Sequence, residues 1–168
     1  MTYKKKTWIE KLEDEDKKKK YPKFLTFDPT FPCGPALTKM GAKKGDKVVI
    51  TLPTEVDEIM KKVPKGKVIT LKEISRKLAK KHNVDYCCTL TGGFFVTTAA
   101  NAAKEYEKKG KKRITPYWRT LKMNGYLNEK YPGGLEAHRK LLEKEGFNIV
   151  KKGKNKYFVQ DFEKYLVT

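Results

Sequence analysis

The groups that could do covalent chemistry in this 168-residue chain are its three cysteines and two histidines. Group transfer through sulfur needs a thiolate, a base that removes its proton and a third group that orients the base. Cys88 precedes a segment of helical pattern by a few residues, and a thiol near a helix N-terminus in a basic protein can be reactive. No motif places His82, His138 or an acid beside Cys88, however, so we interpret it as an idle or buried thiol.

A set of polar and aromatic residues shows a fixed order near the end of the chain. Residues 114–119 read Ile-Thr-Pro-Tyr-Trp-Arg, and Tyr-Pro-Gly-Gly-Leu follows at 131–135, fourteen residues after Tyr117. A run with helical spacing then ends in Glu145-Gly146. The set combines a phenol, an indole, a guanidinium and a carboxylate, but it has no strong nucleophile and no histidine beside the phenol.

This order resembles the active-site half of the O6-alkylguanine-DNA alkyltransferases, which carry Pro-Cys-His-Arg, Tyr-x-Gly-Gly-Leu and a helix ending in Glu-Gly. On this resemblance Tyr117 replaces the alkyl-accepting Cys and Trp118 replaces its His base. The alkyltransferase-like proteins also lack the Cys and bind alkylated DNA without repairing it, although they usually keep the His. The resemblance implies a vestigial pocket of Tyr117, Trp118, Arg119, Tyr131 and Glu145 that has no transferase activity.

Residues 63–70 carry a second motif, Val-Pro-Lys-Gly-Lys-Val-Ile-Thr, which resembles the start of the helix-turn-helix in the same family. The two motifs stand in the family's order and together span residues 63–146. Three positions depart from the family. Its Tyr after the first motif is Leu71 here, its Arg in the recognition helix falls on Ala100, and its Asn before the Pro-Cys motif falls on Lys109. The residues with which the family flips a nucleotide are therefore absent.

The resemblance makes the helix predicted over residues 94–108 the recognition helix. Small side chains let such a helix lie close against a duplex, and lysines bind phosphates as point charges. The alternative is that its alanines only pack against other helices. We expect nucleic-acid contacts from Thr97, Thr98, Ala100, Asn101, Lys104, Lys108 and Arg113.

Two roles are open for the aromatic pair Tyr117 and Trp118. The pair can plug the vestigial pocket as part of the core, or it can form a wall on which a base stacks, and we favour the plug. In either case a buried Glu145 needs a hydrogen-bond partner. The indole N–H of Trp118 is the predicted partner because it can only donate.

The elements that must position these residues are mainly helices. Thr54 and Thr70 are predicted helix N-caps, the second with Glu73 at the capping-box position. Asn124-Gly125 predicts a tight turn. Apolar spacing predicts a strand over 46–50, helices over 71–81, 94–108 and 135–144, a loop over 84–93, strands over 147–150 and 157–159, and a last helical turn over 161–166.

The chain carries 39 Lys and Arg against 20 Asp and Glu, a net charge of +19 that favours a polyanionic partner. The alternative is a lysine-rich surface that only keeps the protein soluble. No run approaches the ~18 apolar residues of a membrane span, and the N-terminus is too polar for a secretory signal. We therefore expect a cytoplasmic protein, nucleoid-associated if prokaryotic, with no membrane partner.

Residues 1–45 are rich in lysine, proline and aromatic side chains, which predicts an extended N-terminal arm. Residues 46–168 are the predicted winged-helix-like domain of the alkyltransferase C-terminal type, mainly α with short β-hairpins. We expect a monomer that binds double-stranded DNA without catalysis, cofactor or metal ion, and alkylated or distorted DNA is the candidate target. Two alternatives stay open: a DNA-acting repair enzyme with a rearranged site at Cys88 or the aromatic pair, and a transcription or architectural factor.

Overall fold

The computed structural model describes residues 4–167, which fold into helices and small sheets. The mainly helical class predicted from the sequence is confirmed. Among the helices of the described residues, none combines the length and the apolar character that a membrane span requires. The elements are α1 (Trp8–Leu12), α2 (Glu15–Lys20), β1 (Lys23–Thr26), α3 (Gly34–Lys39), β2 (Lys47–Ile50), α4 (Pro53–Lys61), β3 (Ile69–Thr70), α5 (Leu71–Lys81), β4 (Tyr86–Cys87), α6 (Thr89–Lys108), β5 (Thr120–Leu121), α7 (Gly134–Lys144), β6 (Ile149–Lys151) and β7 (Tyr157–Val159), with 3-10 turns at Tyr117–Arg119 and Phe162–Tyr165.

Helices α5 and α6 are the predicted pair of consecutive helices, and they pack against each other. The capping box predicted for α5 is present: the Thr70 backbone N–H donates to the Glu73 carboxylate at 3.0 Å. Helix α6 begins at Thr89, five residues earlier than expected, because Gly92-Gly93 lies inside the helix and does not end a loop. A Cβ on Gly92 would lie 3.2 Å from Leu71 Cδ1, so glycine allows the two helices to approach closely here.

Helix α4 begins at Pro53, and the prediction of Thr54 as its N-cap is wrong. Proline suits the first helical position because its missing N–H would have no partner there and its φ is already helical. The N-cap is Leu52, whose backbone N–H donates to the Glu55 carboxylate at 3.0 Å.

Residues 8–39, which we expected as an extended arm, form three short helices and a strand. Glu105 on α6 accepts the backbone N–H groups of Trp8 at 3.2 Å and of Ile9 at 3.0 Å, and these bonds fix α1 against α6. Strand β1 pairs antiparallel with β2, which in turn pairs parallel with β4. These partners are distant in sequence, so the local pattern did not reveal them. The domain boundary predicted between residues 45 and 46 stays a prediction, although the paired strands β1 and β2 lie on opposite sides of it.

The buried apolar side chains form three clusters. The largest is built from α4, α5 and α6 and includes Tyr117 and Tyr131. A second lies between α3 and the sheet of β1, β2 and β4. The third lies under the antiparallel hairpin of β6 and β7, which the sequence predicted. Trp118 packs against the first and the third cluster, so the turn at Tyr117–Arg119 sits where they meet.

Candidate nucleic-acid interface

The turn that carries the predicted vestigial pocket is part of the core. Tyr117 is 3% exposed and packs edge-on against Trp118 and Tyr131, with ring centroids 5.3 and 5.5 Å away. Burial raises the pKa of the Tyr117 phenol above its ordinary value. Tyr131 donates its hydroxyl to the Thr120 carbonyl at 2.8 Å. A neutral phenol enclosed by other rings is a poor nucleophile, which agrees with the plug interpretation.

Glu145 lies beside this turn with all its contacts inside the protein. The Trp118 indole N–H donates to Oε2, as the sequence predicted, and the Gly66 backbone N–H donates to Oε1 at 3.3 Å. Arg119 Nε, which the sequence analysis did not assign as a partner, lies 3.0 and 3.1 Å from the two oxygens. Arg119 Nη1 also donates to the Val63 carbonyl at 2.8 Å, so the cluster ties the turn to the ends of α4 and α7.

The protonation of Glu145 follows from these contacts. Burial alone would raise the pKa of its carboxyl, but the hydrogen bonds from Arg119, Trp118 and Gly66 outweigh burial and hold the pKa below its usual value. A charged carboxylate with four donor contacts is a structural anchor. It is not placed to orient a base, because no histidine contacts it among the described residues.

His138 is fully buried between the turn and the loop that precedes α7. Its Nδ1 accepts the Asn128 backbone N–H at 3.1 Å, so the ring proton lies on Nε2 and is donated to the Trp118 carbonyl at 2.8 Å. Burial lowers the pKa of His138 to about 4. The ring is neutral and both nitrogens are used, so it supports the turn and cannot serve as a general base.

Helix α6 presents a continuous stripe to solvent, which we call the α6 stripe. Its members recur every three or four residues and therefore share one helix face. They are Leu90, Phe94, Thr97, Asn101, Lys104 and Lys108, all of them half-exposed or exposed. Four of these six were predicted as nucleic-acid contacts. Leu90 and Phe94 were not predicted as contacts, because the sequence pattern placed Leu90 in a loop and Phe94 at the start of the helix.

Two of the predicted contacts do not fit this surface. Ala100 is 0% exposed and Thr98 is buried, with its hydroxyl bonded to the Phe94 carbonyl at 2.9 Å. Both side chains lie on the core face of α6, where the alanines pack against other helices. The expectation that Ala100 and Thr98 contact nucleic acid is therefore wrong, and the alternative given for the alanine run holds.

The cations near the α6 stripe differ in their surroundings. Lys104 Nζ lies 2.8 Å from the Glu107 carboxylate, and this hydrogen bond raises the pKa of the lysine. Lys108 is exposed at the C-terminal end of α6, and Arg113 is exposed beyond it. Lys108 and Arg113 are thus better placed than Lys104 to give their charge to a ligand.

A groove of about 440 Å³ runs beside the first half of the α6 stripe. It separates α6 from the loop at residues 121–130. Asn101 fixes one end, since its amide donates to the Thr97 carbonyl at 2.9 Å and to the Lys130 carbonyl at 3.2 Å. The groove lining includes Leu71, Leu90, Phe94, Leu121, Lys122 and Tyr126.

Among the described residues, no histidine contacts any of the three cysteines. Cys33, Cys87 and Cys88 are free and buried. Burial raises the pKa of Cys87 to about 12, and burial together with the neighbouring Cys88 raises the pKa of Cys33 to about 11. Cys88 is the N-cap of α6 but is only 5% exposed. A buried thiol without a base fits the idle interpretation.

No family model and no curated protein matches the chain. Two solved structures are similar to it, each with a TM-score of 0.49 and 19% sequence identity, over 69% of this chain and 94% of the other. One is S. pombe Atl1 in complex with damaged DNA containing O6-carboxymethylguanine. The other is S. pombe ATL in complex with DNA.

Proposed function

We propose that this protein binds double-stranded DNA through the α6 stripe without catalysing a reaction on it, and that it prefers alkylated or distorted sites. The observation that carries the proposal is the stripe itself. Small polar side chains, Thr97 and Asn101, lie between apolar residues at one end and lysines at the other. A helix surface of this kind can approach a duplex closely while its lysines reach phosphates.

The charge of the whole chain supports a polyanionic partner. A net charge of +19 creates a field that attracts DNA, and contacts between lysines and phosphates release counterions. Lys108 is an exposed cation at the end of the stripe, and Arg113 is a further exposed cation beyond the end of α6. The proposal therefore includes an affinity that falls steeply as salt rises.

The absence of catalysis rests on the groups around the turn. Tyr117 is a buried neutral phenol, His138 uses both ring nitrogens, and Glu145 is held by Trp118 and Arg119. The second candidate, an enzyme that uses Cys88, lacks a base at the thiol. The motif resemblance and the vestigial pocket favour a binding protein on an alkyltransferase-like scaffold.

The preference for distorted DNA rests on the groove beside the stripe. The groove has a volume of about 440 Å³. Its lining combines apolar side chains of α6 with polar ones such as Lys122, Asn128 and Glu129, and it can accept part of a base that has left the stack. An architectural or transcription factor without lesion preference is the third candidate. It differs from the proposal in one measurable quantity, the ratio of the affinities for damaged and intact DNA.

Fluorescence anisotropy with three oligonucleotides tests the proposal. They are an intact duplex, the same duplex with one O6-methylguanine, and the single strand, at about 50 mM and about 200 mM salt. We expect binding to both duplexes, tighter for the damaged one, and weaker binding to the single strand. Equal affinity for the two duplexes would favour the architectural factor, and no duplex binding at the lower salt would refute the proposal.

Mass spectrometry of the protein after incubation with the damaged duplex tests the absence of transfer. We expect no gain of a methyl group. A stoichiometric gain would contradict the proposal, and its loss in Cys88→Ser would place the reaction at that thiol.

A further inference from the structure

We propose that Phe94, flanked by Leu90, is a wedge that inserts into a base step of the bound duplex. This inference rests on the proposed function and adds the residue that deforms the DNA. Phe94 is 56% exposed and Leu90 is 43% exposed, and they lie one helical turn apart on the α6 stripe. Together they form an apolar patch on a face that is otherwise polar and basic.

Helix α6 has a core face that buries its other large apolar side chains. Phe95 and Val96, which directly follow Phe94, are both buried. Phe94 is therefore exposed because its position on the helix turns it away from the core. The core face of the same helix does bury large apolar side chains. Contiguous exposed apolar side chains mark a binding surface, whereas apolar residues exposed singly do not.

The surroundings of Phe94 leave room for a close approach. Its neighbour Gly93 has no side chain and lines the groove beside the stripe. The Phe94 carbonyl accepts the Thr98 hydroxyl at 2.9 Å, so the backbone that carries the ring lies in a well-bonded helix. A phenyl ring has only two side-chain torsions, and ordering it on binding costs little conformational entropy.

The chemistry of the partner follows from what flanks the patch. Lys104 and Lys108 continue the stripe on one side, and Lys130 lies across the groove. A partner that offers phosphates outside and flat aromatic surfaces inside matches this arrangement, and a DNA duplex has both. Apolar side chains of DNA-binding proteins wedge between base pairs, unstack them in part and kink the duplex.

Phe24 provides a matched control for this inference. It is 57% exposed, about as much as Phe94, but it lies on β1 and packs against the His82 ring at 5.9 Å. Phe94→Ala and Phe24→Ala thus remove the same exposed ring from two different surfaces. Phe94→Leu keeps an apolar side chain at the stripe and tests whether bulk alone is sufficient.

The experiment measures binding and stacking together. Duplexes with 2-aminopurine at successive positions report unstacking as a rise in fluorescence, and anisotropy of a labelled end reports affinity. We expect the wild-type protein and Phe24→Ala to bind equally and to raise the fluorescence at one or two adjacent steps. Phe94→Ala should lose this rise and about tenfold in affinity, which corresponds to about 1.4 kcal/mol, while its salt dependence stays that of the wild type. Phe94→Leu should lie between the two.

The outcomes separate the wedge from the proposed function. If wild-type protein and Phe94→Ala bind the duplex alike and neither changes the fluorescence, the wedge is refuted and DNA binding stands. If the wild-type protein binds no duplex, the proposed function fails. If Phe94→Ala changes only the sedimentation of the protein, the patch is a contact between copies of the chain and the wedge is refuted. Thermal melts of each variant show whether it is folded.

Discussion

The turn at Tyr117–Arg119 and the α6 stripe are neighbours, yet they differ in almost every physical respect. In the turn, Tyr117 is buried, and Glu145 takes donors from Trp118, Arg119 and Gly66. In the stripe, large side chains stand in solvent. The turn at Tyr117–Arg119 with its buried contacts, which we call the sealed region, carries the motif that is prominent in the sequence. The α6 stripe, which we call the open region, carries no motif. The residues at the motif positions therefore stabilise the fold. The surface that a ligand can reach is identified by the exposure of its side chains and not by a motif.

Removing the Tyr117 ring is expected to have the largest effect on stability. Tyr117→Ala leaves a cavity between two other rings, and we expect a loss of about 3–5 kcal/mol of unfolding free energy. Trp118→Ala should cost a similar amount because it also removes a donor to Glu145. Urea unfolding beside DNA titration measures both quantities. Normal stability combined with a loss of about 1–3 kcal/mol in DNA binding would instead make the pair a stacking platform.

Glu145→Ala should have the next largest effect, because it leaves the Arg119 guanidinium without a carboxylate in a nearly closed site. We expect about 3 kcal/mol of lost stability, at the lower end for a broken buried pair, since Arg119 keeps the Val63 carbonyl. Glu143→Ala is the control: it removes an exposed carboxylate two residues earlier in α7 and should stay within about 0.5 kcal/mol of the wild type. Equal effects of both substitutions in urea unfolding would contradict a buried anchor.

The sealed region was partly predictable because its signals are local or directional. Thr70 and Glu73 form a capping box within four residues, and an indole can only donate, so Glu145 was its natural acceptor. The contact of Arg119 Nε with both oxygens of Glu145 was missed because nothing in the spacing distinguishes a structural arginine from a ligand-binding one. Arg119 was assigned only by its place in the motif.

The open region was harder to predict because exposure depends on the rotation of α6 against the other helices. Counting residues back from Pro116 placed a contact at Ala100, which faces the core. Gly92-Gly93 looked like a helix boundary, although it is the position where α6 approaches Leu71 closely. With the true start of α6 at Thr89, the spacing of Leu90 and Phe94 from Thr97 and Asn101 identifies one helix face.

Acid should weaken the sealed region through His138. Its pKa is about 4 in the folded protein and close to 6.5 when unfolded, so the unfolded chain binds the proton more readily. The stability contribution is full above pH 6.5 and is lost progressively as the pH falls to about 4, with a slope of at most about 1.4 kcal/mol per pH unit for one proton. Glu145 adds a further loss at lower pH, because its folded pKa lies below its usual value and protonation breaks its contacts.

Urea midpoints measured between about pH 3 and pH 8 test this prediction. His138→Gln should flatten the decline between pH 6.5 and pH 4 and leave in place the further loss that Glu145 contributes at lower pH. An unchanged slope in the variant would assign the decline to another group. DNA binding at pH 7 should respond little to His138→Gln in a folded protein, since His138 lies under the turn and not on the stripe.

The smallest expected effects belong to the exposed cations, and they test the open region alone. Lys108→Ala and Arg113→Ala should each leave stability unchanged and weaken binding similarly on unrelated duplexes, because phosphate contacts carry no sequence information. Each lost contact should lower the slope of log affinity against log salt by about one unit. Lys104→Ala should have a smaller effect because Glu107 already pairs with this lysine.

Lys39→Ala, which removes an exposed lysine from α3, is the control for the general loss of positive charge. A stripe cation whose removal changed sequence preference but not the salt slope would be reading bases, and a Lys39→Ala effect equal to that of Lys108→Ala would mean that the whole basic surface, and not the α6 stripe, attracts the DNA.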